Sequence, residues 1–400
     1  MKIAAATVTP IVFGDPPLLN SVGVHSPLVH RVIVRLEAAD GTIGYGECAG
    51  GAKRLAHLEQ AAALVVGLEV HRTGELEAVI ADPSTFAPFE VAALDIQGKL
   101  AGVPVTDLLG GRVRDEVPFS AYLFYKWAEH PALDGRPAIG DDWGEALDPD
   151  GIVRQARRMI ETYGFGSIKL KGGVMQPDEE VEAIEALRVA FPEAPLRLDP
   201  NGVWTVETSQ RIARKTEGLL EYLEDPATGQ ADMAEVAKVA SMPLATNMCV
   251  VAFDQIRPAV ETDAVQVILG DHHYWGGLRR TRDLGAICET FGLGMSMHSN
   301  SHLGISLAAM VHVAAATPIL TYACDTHYPW NGEHDVVANP LPFVDGAIAV
   351  PTAPGLGVEV DEDKVGALHE AYLASGTTGR DDTGYMRRFV PDFDARRPRW

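Results

Sequence analysis

The stretch "SIKLKGG", residues 167–173, decides the fold predicted for this chain of 400 residues. Side chains two residues apart on a strand share a face, so Lys169 and Lys171 would point together. On a face exposed to solvent this pair needs no explanation. Inside a barrel two like charges are costly, and they then require a functional reason.

Short apolar runs of the same kind recur between residues 117 and 340, and most are separated by segments with a helical pattern. The eight runs are "PFSAYLF", "SIKLK", "LRLD", "EYLE", "PLAT", "AVQVIL", "LGMSM" and "LTYAC". Strands that alternate with helices in this way are typical of a (β/α) barrel. The sequence therefore predicts that Lys169 and Lys171 face the inside of a barrel.

The first part of the chain has a different pattern. Residues 31–47 alternate apolar and polar side chains around Asp40-Gly41, which predicts a hairpin with a two-residue turn. Two helices follow, and the second, over "APFEVAALDIQGKLAGVPVTDLLGG", is expected to end at Gly110-Gly111. An antiparallel sheet followed by helices indicates an α+β domain.

Charge and composition restrict the function. The formal net charge of −22 argues against binding to nucleic acid or to anionic membrane surfaces. No apolar run approaches the roughly 18 residues that a membrane helix needs. The four cysteines show no paired spacing, and the N-terminus lacks the features of a signal peptide, so we expect a cytoplasmic protein.

Polar side chains follow the apolar runs where the predicted strands end. Catalytic groups of such barrels gather at the C-terminal ends of the strands. A single aspartate there is more often the cap of the next helix, but polar groups on seven consecutive strands favour a site. In chain order these residues are Tyr122, Lys169, Lys171, Asp199, Asn201, Glu224, Asn247, Asp271, His298 and His327.

Three of these residues form a candidate metal site. Asp199, Glu224 and Asn247 end successive strands and would stand side by side. Their oxygen ligands suit Mg²⁺, whereas Zn²⁺ would prefer His or Cys. We therefore expect Mg²⁺ as the cofactor.

Groups able to move a proton are expected on both sides of this metal. On one side, one of Lys169 and Lys171 would hold an anionic oxygen, and the other, its pKa lowered by its cationic neighbours, would act as a base. On the other side, Asp271 would fix the tautomer of His298 and raise its basicity. This arrangement suits removal of a proton α to a carboxylate, because Mg²⁺ and Lys169 would stabilise the enediolate.

At these residues the chain resembles the enolase superfamily, and within it the glucarate dehydratase subgroup. The motifs that carry the resemblance are "IKLKGGV", "LDPNGVW", "LEDP", "ATNM", "HSNSHLGISLA" followed by "HVAAATP", and "DTHYPW". It extends along nearly the whole chain through "LNSVGVHSP", "YLFY", "PGLGVEVD" and "GRDD". An asparagine as third metal ligand, together with the two lysines and the Asp/His pair, is specific to that subgroup.

The resemblance implies an α/β fold with a modified (β/α)7β TIM-type barrel and an α+β capping domain. The N-terminal cap would occupy residues 1–116, the catalytic barrel residues 117–340, and a C-terminal segment, residues 341–400, would pack back on the cap. A homo-oligomer is also implied, since this superfamily often assembles in that way.

The resemblance also implies roles for single residues. Lys171 would be one base, and His298, paired with Asp271, would be the opposite base and the acid that helps the β-hydroxyl leave. Lys169 and Asn201 would support the enediolate. The implied metal ligands are Asp199, Glu224 and Asn247. The implied substrate contacts are Asn20, His25, Tyr122, Phe124, His327 and Arg380.

The implied reaction is loss of water from an acid-sugar dicarboxylate, D-glucarate or L-idarate, giving 5-dehydro-4-deoxy-D-glucarate. Three segments depart from the family pattern. Residues 80–95, which in the family contribute a substrate-contacting threonine, and the loop after Glu224 are both shorter, and "ILGDHHYWGG" replaces a proline-rich turn. The substrate could therefore be another aldarate or aldonate, whereas the reaction class is retained.

Four alternatives remain open at this point. Bases on both faces would also allow a racemase or epimerase of an acid sugar. "GYGECAG", residues 44–50, contains G-x-G-x-x-A and raises a nucleotide-dependent oxidoreductase, although the strand before it belongs to a hairpin. A zinc hydrolase would need a histidine pair on the first strand, which "SAYLFYK" lacks. The residues that this alternative would use are Asp271, His272, His273, His298 and His302. A barrel that has lost catalysis and only binds a ligand is disfavoured, because every chemical role is filled.

Overall fold

The computed structural model describes residues 1–400. The chain starts with an antiparallel sheet in the order β1-β4-β5, beside a small hairpin. The strands are β1 (Ile3–Gly14), β2 (Leu19–Asn20), β3 (Gly23–Val24), β4 (Leu28–Ala38) and β5 (Ile43–Ala49). Four helices follow: α1 (Ala52–Val65), α2 (Thr73–Ile80), α3 (Pro83–Ala101) and α4 (Val105–Leu108). This is the predicted α+β arrangement.

The hairpin between β4 and β5 turns at Asp40-Gly41, but its loop is longer than predicted. The backbone N–H of Ala38 donates to the carbonyl of Thr42 at 2.8 Å, which leaves three residues in the loop. Gly41 adopts a φ of 88°, as a three-residue hairpin with glycine in the left-handed region requires.

The helix predicted to run to Gly110-Gly111 is two helices. Helix α3 ends at Gly102, whose φ of 72° caps the helix, and Pro104 precedes α4. A glycine in the left-handed region ends a helix because it turns the chain away from the axis. The apolar pattern continues across the break because both helices bury residues, and this made the segment read as one element.

Seven parallel strands form the second sheet, adjacent in space in their chain order. They are β7 (Ser120–Phe124), β10 (Ser167–Lys171), β11 (Leu196–Asp199), β12 (Tyr222–Glu224), β13 (Leu244–Thr246), β14 (Val267–Gly270) and β15 (Gly294–Met297). The helices are α5 (Pro149–Tyr163), α6 (Pro177–Ala190), α7 (Val206–Lys215), α8 (Gly229–Ala237), α9 (Phe253–Glu261), α10 (His272–Trp275), α11 (Leu278–Phe291) and α12 (Gly304–Ala315). Three short strands complete this part: β6 (Glu116–Pro118), β8 (Glu129–His130) and β9 (Ile139–Gly140). The predicted α/β barrel class is confirmed.

The eighth apolar run, "LTYAC", is not a strand. Its first residue, Leu320, bridges Met295 of β15, and its last, Cys324, bridges Phe119 beside β7. The N–H of Thr321 donates to the carbonyl of Met295 at 2.9 Å, and that of Ser120 to Cys324 at 2.9 Å. The run closes the barrel by pairing with a different strand at each end, so no continuous ladder forms.

Helix α12 of the barrel packs against the N-terminal cap. All of its residues are buried, which explains why its sequence is apolar all round. Glu47 of β5 accepts hydrogen bonds from the backbone N–H groups of Leu303 (2.9 Å) and Ser306 (3.0 Å). The carboxylate thereby satisfies donors at the start of α12 that have no partner within the helix.

The C-terminal segment returns to the cap. After a 3₁₀ helix (Tyr328–Asn331) at the end of the barrel, it contains β16 (Ala347–Ala349), α13 (Glu362–Ser375) and α14 (Asp382–Met386). Helices α13 and α14 pack on β1 and β3, as predicted, whereas β16 pairs with β6 at the start of the barrel. The exact domain boundaries stay a prediction. No helix of the structure combines the length and apolar character needed to cross a membrane.

Candidate active site

A cavity of about 480 Å³ lies between the C-terminal ends of the barrel strands and the cap. All six predicted substrate contacts line it. So do four residues of the predicted chemical machinery: Lys171, Asn201, Asn247 and His298. Lys169, Asp199, Glu224 and Asp271 are buried and are not part of the cavity lining. The structure thus brings the predicted residues to one place.

The two lysines face the barrel interior and are surrounded by carboxylates. Nζ of Lys169 lies 2.6 Å from Glu224 and 2.6 Å from Asp325, and it is fully buried. Nζ of Lys171 lies 2.6 Å from Asp199, its partner across the β10–β11 ladder. Alternation along β10 places both ammonium groups on the inner face, as the sequence predicts.

The prediction that one lysine has a lowered pKa is wrong, because the carboxylates of the protein raise the pKa of both lysines. Burial alone would lower the pKa of Lys169, but Asp325 and Glu224 hold it well above its ordinary value. Burial likewise opposes the charge of Lys171, and the Asp199 carboxylate raises its pKa. The expectation failed because it counted cationic neighbours and overlooked the number of buried anions around them.

The three candidate metal ligands stand side by side at the ends of β11, β12 and β13. Lys169 Nζ reaches both carboxylates, at 2.6 Å from Glu224 and 3.7 Å from Asp199. The amide of Asn247 donates to Glu224 at 3.0 Å. Two buried carboxylates and one amide form an all-oxygen donor set, which fits Mg²⁺ and does not fit the preferences of Zn²⁺.

His298 and Asp271 form the predicted pair on the other side of the cavity. Nδ1 of His298 lies 2.9 Å from Oδ2 of Asp271. The second oxygen of this carboxylate lies 2.8 Å from Nδ1 of His273. Burial would raise the pKa of Asp271, but His273 and His298 hold it well below its ordinary value. The carboxylate is therefore ionised and orients both rings.

His273 connects this pair to the cap. Its Nε2 lies 3.1 Å from the carbonyl of Glu47 and 2.9 Å from Oγ of Ser306. Sequence analysis placed His273 only in the zinc alternative. Asp271, His272 and His273 do lie close enough together to hold an ion. Both oxygens of Asp271, however, already contact the rings of His273 and His298.

The predicted substrate contacts fall into two groups. Asn20, His25 and Arg380 are held by the carboxylates of Asp15 and Asp382. Asn20 donates to Asp382 at 3.2 Å, and His25 lies 3.0 Å from Asp15. Arg380 forms ion pairs with Asp15 at 3.0 Å and with Asp382 at 2.6 Å. Its charge is thus already neutralised by the protein.

The second group is an aromatic wall. The ring of His327 packs against Tyr122 and Phe124, with centroids 4.9 and 5.0 Å away. Burial, and then the neighbouring His25, hold the pKa of His327 well below its ordinary value. Burial raises the pKa of Tyr122 to about 12. Both side chains are therefore neutral at physiological pH.

Sequence analysis missed two residues that the structure adds to the site. Asp325 contacts Lys169, and its position in "DTHYPW", at the closing end of the barrel, could have revealed it. Arg397 of the C-terminal tail lines the cavity. No local pattern distinguishes this arginine from its neighbours in the Arg-rich end of the chain.

The glycines of "GYGECAG" are explained by packing. Strand β5 is antiparallel to β4, so the segment is not part of a βαβ unit. A Cβ on Gly46 would lie 1.9 Å from the carbonyl oxygen of Pro88 on α3, and one on Gly44 would lie 2.1 Å from that of Ala92. The helix therefore occupies the space in which a nucleotide phosphate would have to approach.

Comparison with known proteins agrees with this architecture. Residues 5–110 match the family "Mandelate racemase / muconate lactonizing enzyme, N-terminal domain", and residues 151–364 match "Enolase C-terminal domain-like". The chain belongs to the enolase superfamily.

A similar protein indicates the subgroup within this superfamily. The chain is 50% identical to a probable glucarate dehydratase of Streptomyces coelicolor, with 100% of this chain and 99% of that protein covered. It is thus a glucarate dehydratase-like enzyme of the hydro-lyase class.

Two solved structures superpose closely. An enolase from Thermobispora bispora, complexed with magnesium and formate, has a TM-score of 0.97 and 54% identity, with 100% of both chains covered. An enolase from Mycobacterium smegmatis, complexed with tartrate, has a TM-score of 0.96 and 59% identity, with 100% of this chain and 98% of that chain covered.

Proposed function

We propose that this protein is a Mg²⁺-dependent acid-sugar dehydratase that acts on D-glucarate and forms 5-dehydro-4-deoxy-D-glucarate. The observation that carries the proposal is the presence, around one cavity, of Lys171 and of His298 oriented by Asp271, beside an all-oxygen trio. Similarity to the probable glucarate dehydratase supports the choice of substrate.

Asp199, Glu224 and Asn247 would hold the metal. When bound, Mg²⁺ would supply positive charge that makes the α-proton more acidic, and it would engage the Asp199 carboxylate that otherwise pairs with Lys171. All further roles belong to side chains of the chain itself.

Proton transfer falls to two groups. Lys171 or His298 removes the α-proton, according to the face of the substrate that each one meets. His298 then delivers a proton to the departing β-hydroxyl, which leaves as water while the carbon–carbon double bond forms. The enol product becomes the keto acid by taking up a proton at carbon. Asp271 keeps Nδ1 of His298 protonated, so that Nε2 carries out the transfer.

Five further residues would stabilise charge or shield the reacting carbons. Lys169, buried behind the trio, and Asn201 would support the negative charge that develops as the proton leaves. The aromatic wall of Tyr122, Phe124 and His327 would exclude water from the reacting carbons.

Proton NMR in D₂O tests the proposal directly. D-Glucarate is incubated with the protein and Mg²⁺, followed by other aldarates and aldonates. We expect a new keto-deoxy product that carries deuterium, and we expect no product after chelation of the metal. The matched control is His298→Asn, which replaces the imidazole by an amide that cannot act as a base, and it should give no product.

The outcomes separate the candidate reactions. Loss of the α-proton signal without a new product would identify a racemase or epimerase, because the bases would then work without elimination. A product from another acid sugar, but not from D-glucarate, would change the substrate and retain the reaction. If no compound exchanged or reacted, the assignment of an acid-sugar substrate would be wrong.

A further inference from the structure

The last residues of the chain lie beside the cavity. The backbone N–H groups of Arg399 and Trp400 donate to the carbonyl of Val203, at 2.6 and 3.2 Å. The guanidinium of Arg399 donates to the carbonyl of Ser21 at 2.8 Å. The tail is thereby tied both to the turn after β11 and to the cap hairpin.

Arg397, two residues before Arg399, lines the cavity. Its Nη2 lies 2.5 Å from Oγ of Ser21 and 2.9 Å from Oδ1 of Asn201. The hydroxyl of Ser21 also donates to Oδ1 of Asn201, at 3.1 Å. Two donors therefore meet the same amide oxygen, and this determines which way the amide faces. Its NH₂ group is left on the side of Asp199, 3.4 Å from Oδ1.

Arg397 differs from the other cationic side chains of the cavity lining because it forms no ion pair. The cationic side chains of the lining are Arg31, Lys171, Arg380 and Arg397. The first three form close ion pairs: Arg31 with Glu47, Lys171 with Asp199, and Arg380 with Asp15 and Asp382. Arg397 forms no ion pair, although the charges of Asp199 and Asp225 act on it from farther away, and its Nε is buried without a hydrogen-bond partner. A guanidinium left unpaired beside a ligand cavity attracts an anion.

We propose that the C-terminal tail completes the active site, and that Arg397 is a positioning residue that orients the Asn201 amide and supplies the cavity's one unpaired guanidinium for an anionic substrate. Its effect on the reaction rests on the proposed function, because Asn201 matters to turnover only if an enediolate forms. Its effect on anion binding does not depend on turnover.

A double-mutant cycle tests the action through Asn201. The α-proton exchange of D-glucarate in D₂O with Mg²⁺ is measured at saturating substrate, where weaker binding no longer affects the rate, for wild type, Arg397→Gln, Asn201→Ala and the double variant. We expect Arg397→Gln to lower the exchange rate about tenfold or more. In the Asn201→Ala background, the same change should cost less than about twofold, because the amide that it positions is absent. Equal losses in both backgrounds would overturn the positioning role.

Calorimetric titration with tartrate, a dicarboxylate with α-hydroxyl groups, tests the charge without turnover. Arg397→Gln should weaken binding about tenfold, and Arg397→Lys, which retains the charge, should restore most of the affinity. Arg396→Gln is the matched control: it removes the same charge from the neighbouring residue, whose side chain is 85% exposed and paired with Asp394. This variant should bind tartrate as wild type does.

The two measurements separate failure of this inference from failure of the proposed function. If wild type exchanges no acid-sugar proton, the proposed function is wrong, and the tartrate series alone decides the role of Arg397. Equal affinity of wild type and Arg397→Gln for tartrate, or no tartrate binding at all, would overturn the inference. The Lys variant guards against a folding defect, since it leaves the size and charge of the side chain nearly intact.

Discussion

Nδ1 of His298 lies 2.9 Å from Oδ2 of Asp271, at the ends of the neighbouring strands β15 and β14. The carboxylate is buried, and a second ring, that of His273, lies 2.8 Å from its other oxygen. Because Nδ1–H donates to an ionised carboxylate, Nε2 of His298 is the nitrogen free to exchange a proton with a substrate.

Asp271→Asn should therefore lower the rate of α-proton exchange by about 10³-fold, since an amide no longer specifies the ring tautomer. The measurement is deuterium incorporation into D-glucarate, followed by NMR. Asp283→Asn, on the exposed side of α11, is the control and should exchange normally. A rate for Asp271→Asn close to that of wild type would show that the pair plays no part in proton transfer.

Mg²⁺ should raise the melting temperature of the protein, because an ion that binds only the folded state stabilises it by mass action. Glu224→Gln removes one of the two proposed carboxylate ligands and should abolish most of this increase. Thermal denaturation with and without Mg²⁺ measures both effects. Asp178→Asn, a change at a half-exposed carboxylate paired with Arg211, should preserve the full response; an equal response in the Glu224 variant would exclude this residue from the metal site.

Glu47→Ala should destabilise the protein by about 3–5 kcal/mol, because it leaves the buried guanidinium of Arg31 without its partner. The two groups lie 2.7 Å apart, and both side chains are at most 3% exposed. Denaturant unfolding gives the free-energy change. The double variant Arg31→Met/Glu47→Leu should lose less stability than the single variant, since no isolated charge remains; a larger loss would contradict this account.

Glu90 predicts a pH dependence of stability. Burial raises the pKa of this carboxyl to about 7, although the N–H of Leu278 and the charge of Arg279 act in the opposite direction. The folded state then binds a proton that the unfolded state has released, so this contribution is complete below about pH 4.5 and is lost as pH rises through about 7. The loss should amount to roughly 3 kcal/mol.

Glu90→Gln keeps an acceptor for Leu278 and removes the titration. Unfolding free energies between pH 4.5 and 8 should therefore fall less steeply in this variant than in wild type. Parallel curves for the two proteins would mean that Glu90 is ionised in the folded state throughout this range.

The sequence by itself predicted most of the barrel and most of its chemical groups. A strand places every second side chain on one face, and parallel strands bring their C-terminal ends to one edge, so polar residues after successive apolar runs must meet. For this reason Lys169, Lys171, Asp199, Glu224 and His298 could be placed together without coordinates. Local patterns were less reliable where the chain interrupts an element: glycine ends α3 inside a continuous apolar pattern, and "LTYAC" closes the barrel without forming a ladder.

Only the tertiary structure decided how the charges balance. Asp325 lies 156 residues from Lys169 along the chain and helps to raise its pKa, and Asp15 lies 365 residues from Arg380 and pairs with it. Arg397 reaches Asn201 from 196 residues away. Periodicity indicates the face on which a side chain lies, whereas its electrostatic partners depend on which segments fold against that face. The tertiary structure therefore decides the charge of the site, although the sequence alone indicates where the site lies.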